Sequence, residues 1–323
     1  MRVEKFTKMP LPTDPKRLAL AEDAIQKLDD LFGLHPGCRP AHAKGVFLDG
    51  FFHPTPDAAA LSRAPHFQTP RTPVVVRFSD STGLPSVPDN DPNASPRGCA
   101  IRFQLGEHVH TEIVAHSTDG FPVRTGAEFI EFLHAAHTSG PDAPHPTPIE
   151  KFLSTHPKAL AFVQTPKPIP TSFARESYFS VTAHKFINAE GTSRHVRYRV
   201  LPEAGDDYLD AEGAAAKGPD FLFEELTERI AAGPIKMNLW VQVANDGDVV
   251  DDATEGWPTE RRQVLLGTVT LTGLMPKDDA EMRRIIFDPI PRIDGIEPSA
   301  DPLLEFRADT YLISGRRRRA ADK

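Results

Sequence analysis

The densest chemistry of the chain lies near its C-terminus. In SADPLLEFRADTYLISGRRRR, Tyr311 follows Arg307 on the next helical turn and precedes Arg318 by two turns. At about 100° per residue, Arg307 and Tyr311 differ by about 40° and Arg307 and Arg318 by about 20°, so all three project from one side of a helix that runs that far. A phenol ordinarily titrates near pH ~10, and a guanidinium within a few ångströms favours its anion. Tyr311 is therefore either a core tyrosine hydrogen-bonded to an arginine on a solvated basic terminus, or a tyrosinate held deprotonated by Arg307 as a metal ligand. Upstream, CRPAHAKGVFLDGFF contains His42, a structural histidine or a proton carrier. In VVVRFSDS, Arg77 and Ser79 lie two apart and share one face of a strand. That pair would set a cation for an acidic ligand beside a hydroxyl able to orient a base, or would leave an edge-strand arginine in solvent.

Elements able to position these groups can be read along the chain. Residues 14–32, DPKRLALAEDAIQKLDDLF, predict a helix opened by Asp14 and closed by Gly33. From residue 41, AHAKGVFLDGFF, TPVVVRFS, GCAIRFQL and HTEIVAHS are short β-branched and aromatic runs divided by Gly, Pro, Asn and Asp, which predicts antiparallel strands. GAEFIEFLHAAHT at 126–138 predicts a helix with Phe129, Phe132 and Leu133 on one face. The stretch from Pro141 through Pro170 predicts a wrapping segment. Strands resume with YFSVTAHKFIN, RHVRYRVL, KMNLWVQVAN and RQVLLGTVTLTG, interrupted by a helix near 219–232. At the end of the chain, Ser299 or Asp301 caps a last helix with Pro302 in its first turn. The fold class is α+β: an antiparallel eight-stranded β-barrel with added helices, in one domain spanning 1–323.

Composition removes other classes. The 323 residues are 39% hydrophobic and 25% charged, and no run approaches the ~18 apolar residues of a membrane helix. A net charge of -8 argues against nucleic-acid binding. Cys38 and Cys99 are the only cysteines, too few for a disulfide framework or a Cys₄ metal site. The N-terminal MRVEKFTKMPLPTDPKR has no apolar signal-peptide stretch, so a cytoplasmic location is expected.

Taken together and in chain order, the motifs resemble the haem catalase family. RPAHAKG at 39–45 is similar to its distal histidine segment, VVVRFS at 74–79 to its arginine-serine strand and PRGCAIRF at 96–103 to the strand after it. RTGAEFIEFLH at 124–134 is similar to the segment whose phenylalanine stacks on haem, and RADTY at 307–311, with Arg318 beyond, to the proximal tyrosine helix. The resemblance implies a catalase-like haem fold carrying ferric haem b, with Tyr311 as axial iron ligand and Arg307 as its charge partner. It implies that His42 is the distal acid-base residue, that Ser79 holds the ring of His42, that Arg39, Arg77 and Arg318 hold the haem propionates, and that Phe129 packs on the porphyrin.

Three departures accompany the likeness. In EIVAHST at 112–118, His116 stands where the family places a distal asparagine, and as a histidine it is expected to be neutral or cationic near pH ~6–7. In SYFSVTAHKF, Thr182 falls where NADPH-binding members carry a histidine, so no NADPH is expected. Known catalases also carry longer arms. The chain thus looks like a minimal catalase-related peroxidase, a homodimer or homotetramer. It would act on hydrogen peroxide or organic hydroperoxides with a small organic reductant, with weak catalase activity and His116 as a further catalytic residue. The alternatives are a haem-dependent fatty-acid hydroperoxide isomerase or lyase, and a non-catalytic haem-binding protein that would have no use for an oriented distal histidine.

Overall fold

The computed structural model describes residues 11–276, 282 and 284–321. Strands β1 (Gly45–Pro54), β2 (Thr72–Ser79), β3 (Gly98–Gly106) and β4 (Val109–His116) form a meander. It continues through β5 (Tyr178–Phe179) to β7 (Ser193–Pro202), β8 (Ile235–Val243) and β9 (Gln263–Leu274), and β9 returns to pair with β1. The result is a closed, eight-stranded antiparallel barrel, in which β4 and β5 are joined at the single pair His116–Phe179. Strands β6 (His184–Ile187) and β10 (Ile296–Pro298) extend the sheet outward from β7.

Alternation along β2 divides its side chains. Val74, Val76 and Phe78 enter the main core with Leu48, Ile101 and Phe103, whereas Val75, Arg77 and Ser79 point to the outer face. Six successive residues of β2, Val74 to Ser79, are nevertheless buried, because the outer face is covered as well. That double burial is why VVVRFS reads as a nearly continuous apolar run.

Part of the cover is helical. Helix α1 (Pro15–Phe32), capped by the Asp14 side chain, packs on α4 (Gly126–His137) and on the C-terminal helix (Pro302–Ala321). Arg17 fastens α1 to the C-terminal helix through paired bonds to Asp309, at 2.9 and 3.1 Å, and Arg317 returns the contact to Asp29. The C-terminal helix starts as its sequence predicts, with Asp301 Oδ1 accepting the Leu303 amide. Helices α2 (Pro56–Leu61) and α3 (Pro65–Gln68) follow β1, and α7 (Ala211–Ala215) and α8 (Phe221–Ala232) lie between β7 and β8. The proline-rich stretch departs from the sequence expectation of a simple wrapping segment. It contains two short helices, α5 (Pro148–Thr155) and α6 (Pro157–Gln164), each beginning on a proline, where the missing N–H costs nothing.

Candidate active site

Strand register places the distal groups side by side. Ser79 pairs with Gly45 on one side and Gly98 on the other, Gly98 pairs with His116, and His116 pairs with Phe179. These residues form one lateral row across five strands, and cross-strand partners share a face. Gly98 is the gap in that row. A Cβ added there would lie 2.5 Å from Ser79 Oγ and 2.8 Å from His42 Nδ1, so the His42 ring sits against the bare glycine, next to Ser79.

His42 reaches this position from a turn before β1, with φ of 55°, in the left-handed region that non-glycine residues rarely adopt. Its amide donates to Ser81 O at 2.8 Å, and Arg77 Nη2 donates to its carbonyl at 2.7 Å, so the strained backbone is held from both sides. The side chain bonds through Nδ1 to Ser79 Oγ at 3.1 Å. Burial, reinforced by the charge of Arg77, pushes His42 down to about 4, against an opposing hydrogen bond to the Asp80 backbone. Both ring nitrogens of His116 are buried without a partner, and burial, with the charges of Arg307 and His42, pushes it down to about 3. This runs against the expectation that His116 switches charge near neutrality: among the described residues no carboxylate or acceptor compensates its desolvation, which favours the neutral ring.

The proximal groups lie on the C-terminal helix. Arg307 Nε donates to Tyr311 Oη at 3.1 Å, and Arg307 is also close enough to contribute to the depressed pKa values of His42 and His116. The charge of Arg307 is thus felt on the distal side as well as by the phenol. Arg318, buried, donates to Ser314 Oγ at 2.6 Å and to Ile285 O at 3.0 Å, and Arg39 donates to the same Ile285 carbonyl at 3.0 Å. Arg39, Arg77 and Arg318 form a cationic cluster. Burial and the neighbouring Arg318 push Arg77 down to about 9, and burial together with Arg77 and Arg318 holds Arg39 well below the ordinary arginine range. Between α4 and the C-terminal helix, Gly126 lies so close to Phe306 that no Cβ would fit. One turn further on, the Phe129 ring meets Phe306 edge-on at 6.2 Å and Phe121 at 5.7 Å.

These residues fit a haem by their chemistry. Arg39 and Arg77 donate only to main-chain carbonyls, and among the described residues no carboxylate pairs with either, which suits a ligand that brings its own two carboxylates. Tyr311 offers a phenol already polarised by a guanidinium, and Phe129 an apolar ring face. Of the residues singled out in the sequence, His42, Ser79 and His116 lie at the distal row, Arg307 and Tyr311 are bonded on the C-terminal helix, Arg39, Arg77 and Arg318 make the cationic cluster, and Phe129 packs against Phe306. Sequence reasoning missed Phe121, which touches both the His116 and Phe129 rings, and the spacer role of Gly98. The only signal for Gly98 was a glycine opening a strand.

Comparison with known proteins identifies the family. The catalase family matches residues 36–322. The chain is 36% identical over 305 residues to a catalase-related peroxidase of Mycolicibacterium paratuberculosis, covering 94% of this chain and 96% of that protein. It is 36% identical over 300 residues to one of Synechococcus elongatus, covering 91% and 87%. Against catalase-2 of Bacillus subtilis it is 30% identical over 301 residues, 85% of this chain but 43% of that longer protein. The fold is that of a fungal catalase, with a TM-score of 0.78 at 24% identity over 98% of this chain and 66% of the other. A family match over most of its length, with near end-to-end likeness to two relatives, establishes that the chain belongs to the catalase family of oxidoreductases.

Proposed function

We propose that the chain is a haem-dependent peroxidase, built as a single catalase-like domain, that reduces hydrogen peroxide or an organic hydroperoxide at the expense of a small organic donor. The observation that carries this reading is the His42 ring seated against Gly98 and hydrogen-bonded to Ser79, in the row that also presents His116. A carrier of haem needs no such oriented base. Haem b, when bound here, would supply a ferric iron and the electrons needed to cleave the O–O bond of a peroxide.

The chain's own residues hold the group and move the proton. Tyr311 Oη, with Arg307 Nε donating to it, is the oxygen that would be offered to the metal, and Arg39, Arg77 and Arg318 would pair with the propionates. Phe129 packs on the macrocycle. With Nδ1–H donated to Ser79 Oγ, His42 presents the lone pair of Nε2, accepts the peroxide proton there and returns it to the departing oxygen. Its depressed pKa keeps that nitrogen free at neutral pH. His116 faces the same space as a neutral imidazole able to donate or accept one hydrogen bond.

The haem-loaded protein is tested with hydrogen peroxide and a chromogenic donor, beside an oxygen electrode, and with a lipid hydroperoxide with and without donor. Donor oxidation that outpaces oxygen release supports the reading. Vigorous oxygen release with negligible donor oxidation overturns it in favour of a catalase, and donor-independent rearrangement of the lipid hydroperoxide overturns it in favour of an isomerase or lyase.

A further inference from the structure

Behind the distal row lies a buried ion pair that the chemistry above leaves unused. Asp80 and Arg97 are both fully buried, and Arg97 Nη1 pairs with Asp80 Oδ1. Each end of the pair is attached to one of the two distal histidines. Asp80 directly follows Ser79, the residue bonded to His42, and its amide donates to Lys44 O at 3.1 Å, on the segment leaving His42. Arg97 directly precedes Gly98. Its amide donates to Ser117 Oγ at 2.9 Å and its carbonyl accepts from the Ser117 amide at 2.9 Å, on the residue after His116.

A third connection closes the loop. Arg97 Nη2 donates to Asp89 O, and the Asp89 carboxylate accepts from Lys44 Nζ at 2.5 Å and from the Leu222 amide at 2.7 Å. Stability does not account for this arrangement. A buried ion pair seldom outperforms well-packed apolar residues of the same volume, because desolvation offsets the Coulomb gain. Here Asp80 Oδ2 and Arg97 Nε are left without hydrogen-bond partners, Lys44 Nζ standing 3.9 Å from that Oδ2, and burial, with the nearby Asp89 carboxylate, raises the Asp80 carboxyl to about 7 despite the adjacent guanidinium. What a buried pair does supply is direction: two charges fixed in one geometry cannot slide past each other as methyl groups can.

We propose that the Asp80–Arg97 pair is a brace that holds His42 and His116 in one arrangement, which makes Asp80 and Arg97 positioning residues for proton transfer at the distal site. The inference rests on the reading of His42 as the proton carrier. Neither residue touches peroxide; Asp80 acts through Ser79 and the backbone beside His42, Arg97 through Gly98 and Ser117.

The test uses the haem-loaded protein and variants Asp80→Asn, Asp80→Glu and Ser117→Ala, with His42→Ala as the control. Cyanide association is read by stopped flow, since hydrogen cyanide must give its proton to a distal base as it binds, and kcat and KM for the organic donor are measured in parallel. Asp80→Asn is expected to slow both cyanide association and peroxide turnover by about ten- to a hundred-fold, the range seen when a supporting group around a site is lost, with KM for the donor unchanged. Asp80→Glu restores part of the rate. Ser117→Ala, which cuts one bond without stranding a buried charge, slows them by a few-fold. A folded, haem-loaded Asp80→Asn protein with parental cyanide kinetics overturns the brace. If Asp80→Asn does not fold, parental kinetics in Ser117→Ala overturn it instead. Should His42→Ala also keep parental kinetics, the assignment of His42 is at fault and the brace falls with it.

Discussion

The two sides of the site are built in opposite ways. On the proximal side, Arg307, Tyr311 and Arg318 belong to one helix, and the bond between Arg307 Nε and Tyr311 Oη follows from a four-residue spacing. On the distal side, His42, Ser79, Gly98 and His116 come from a turn and three strands, and their proximity is a matter of register and of one missing side chain. Local geometry tolerates change elsewhere in the fold, whereas register transmits it. Proximal substitutions should therefore have effects confined to the residue changed, and distal ones should spread along the row.

The largest expected effect is proximal and all-or-none. Tyr311→Phe removes the only phenol on the C-terminal helix while leaving its packing intact, so the haem-loaded variant should lose the spectrum of phenolate ligation. Arg307→Leu, which removes only the donor to that oxygen, should shift the spectrum without abolishing it. An unaltered spectrum in fully loaded Tyr311→Phe would remove the assignment, and with it half of the contrast.

On the distal side, His42→Ala should retain haem and lose peroxide cleavage by about 10²–10⁴-fold, the contribution typical of a placed acid-base group. Its pH dependence sharpens the point. Because burial holds His42 near 4, the acid limb of the rate should fall close to pH 4 rather than near the ~6.5 of an exposed histidine. Stability has the same sign. The unfolded chain takes up protons near pH ~6.5, while folded His42 and His116 do so only near 4 and 3, so stability is present above ~6.5 and is lost as the pH falls toward 4. A rate limb at ~6.5 would show that His42 is solvated during turnover.

What could be read from the sequence divides along the same line. The C-terminal helix, its Asp301 cap and its one-sided stripe follow from periodicity, and the strands from alternation and turn residues. The barrel closure between β7 and β8 and between β9 and β1 depends on pairings between distant segments that no local pattern specifies. His42 was one candidate among 13 histidines until the resemblance gave it a role, and nothing in AHAKG announces its left-handed backbone. The neutral state of His116 could not be read at all, since it depends on which groups surround the ring. Asp80 and Arg97 look like ordinary surface charges in the sequence, and both are fully buried.

Gly98→Ala tests whether the row transmits strain. The new methyl would sit 2.5 Å from Ser79 Oγ and 2.8 Å from His42 Nδ1, too close for either to stay in place. Strand β3 needs no glycine there for its backbone, so the fold should survive while the His42 ring is pushed off Ser79. Peroxide cleavage should fall by about ten- to a hundred-fold with the Tyr311 spectrum unchanged. Ser79→Ala, which removes the hydroxyl and makes room, should cost less than Gly98→Ala. The reverse order would mean that the hydrogen bond, and not the space over Gly98, positions the ring.

The smallest change in overall rate is expected from His116→Asn, yet it bears most on the choice of reductant. With its pKa pushed down by burial the imidazole offers one N–H and one lone pair at neutral pH, and among the described residues neither ring nitrogen has a partner. An asparagine would offer a donor pair and an acceptor on a shorter arm, in a site where the neighbouring Ser117 hydroxyl already accepts from Arg97. Turnover of a second peroxide requires that it be held against His42 while two hydrogens leave together, and a compact amide leaves more room for this than a ring in contact with Phe121. His116→Asn should therefore change donor oxidation by only about two- to three-fold, within the worth of one neutral hydrogen bond, while raising oxygen release relative to donor oxidation. Measuring both on one preparation decides the matter. If the ratio does not move, His116 is a packing residue of the row and the choice of reductant is set elsewhere; if it rises, the distal row determines reductant choice as well as proton transfer.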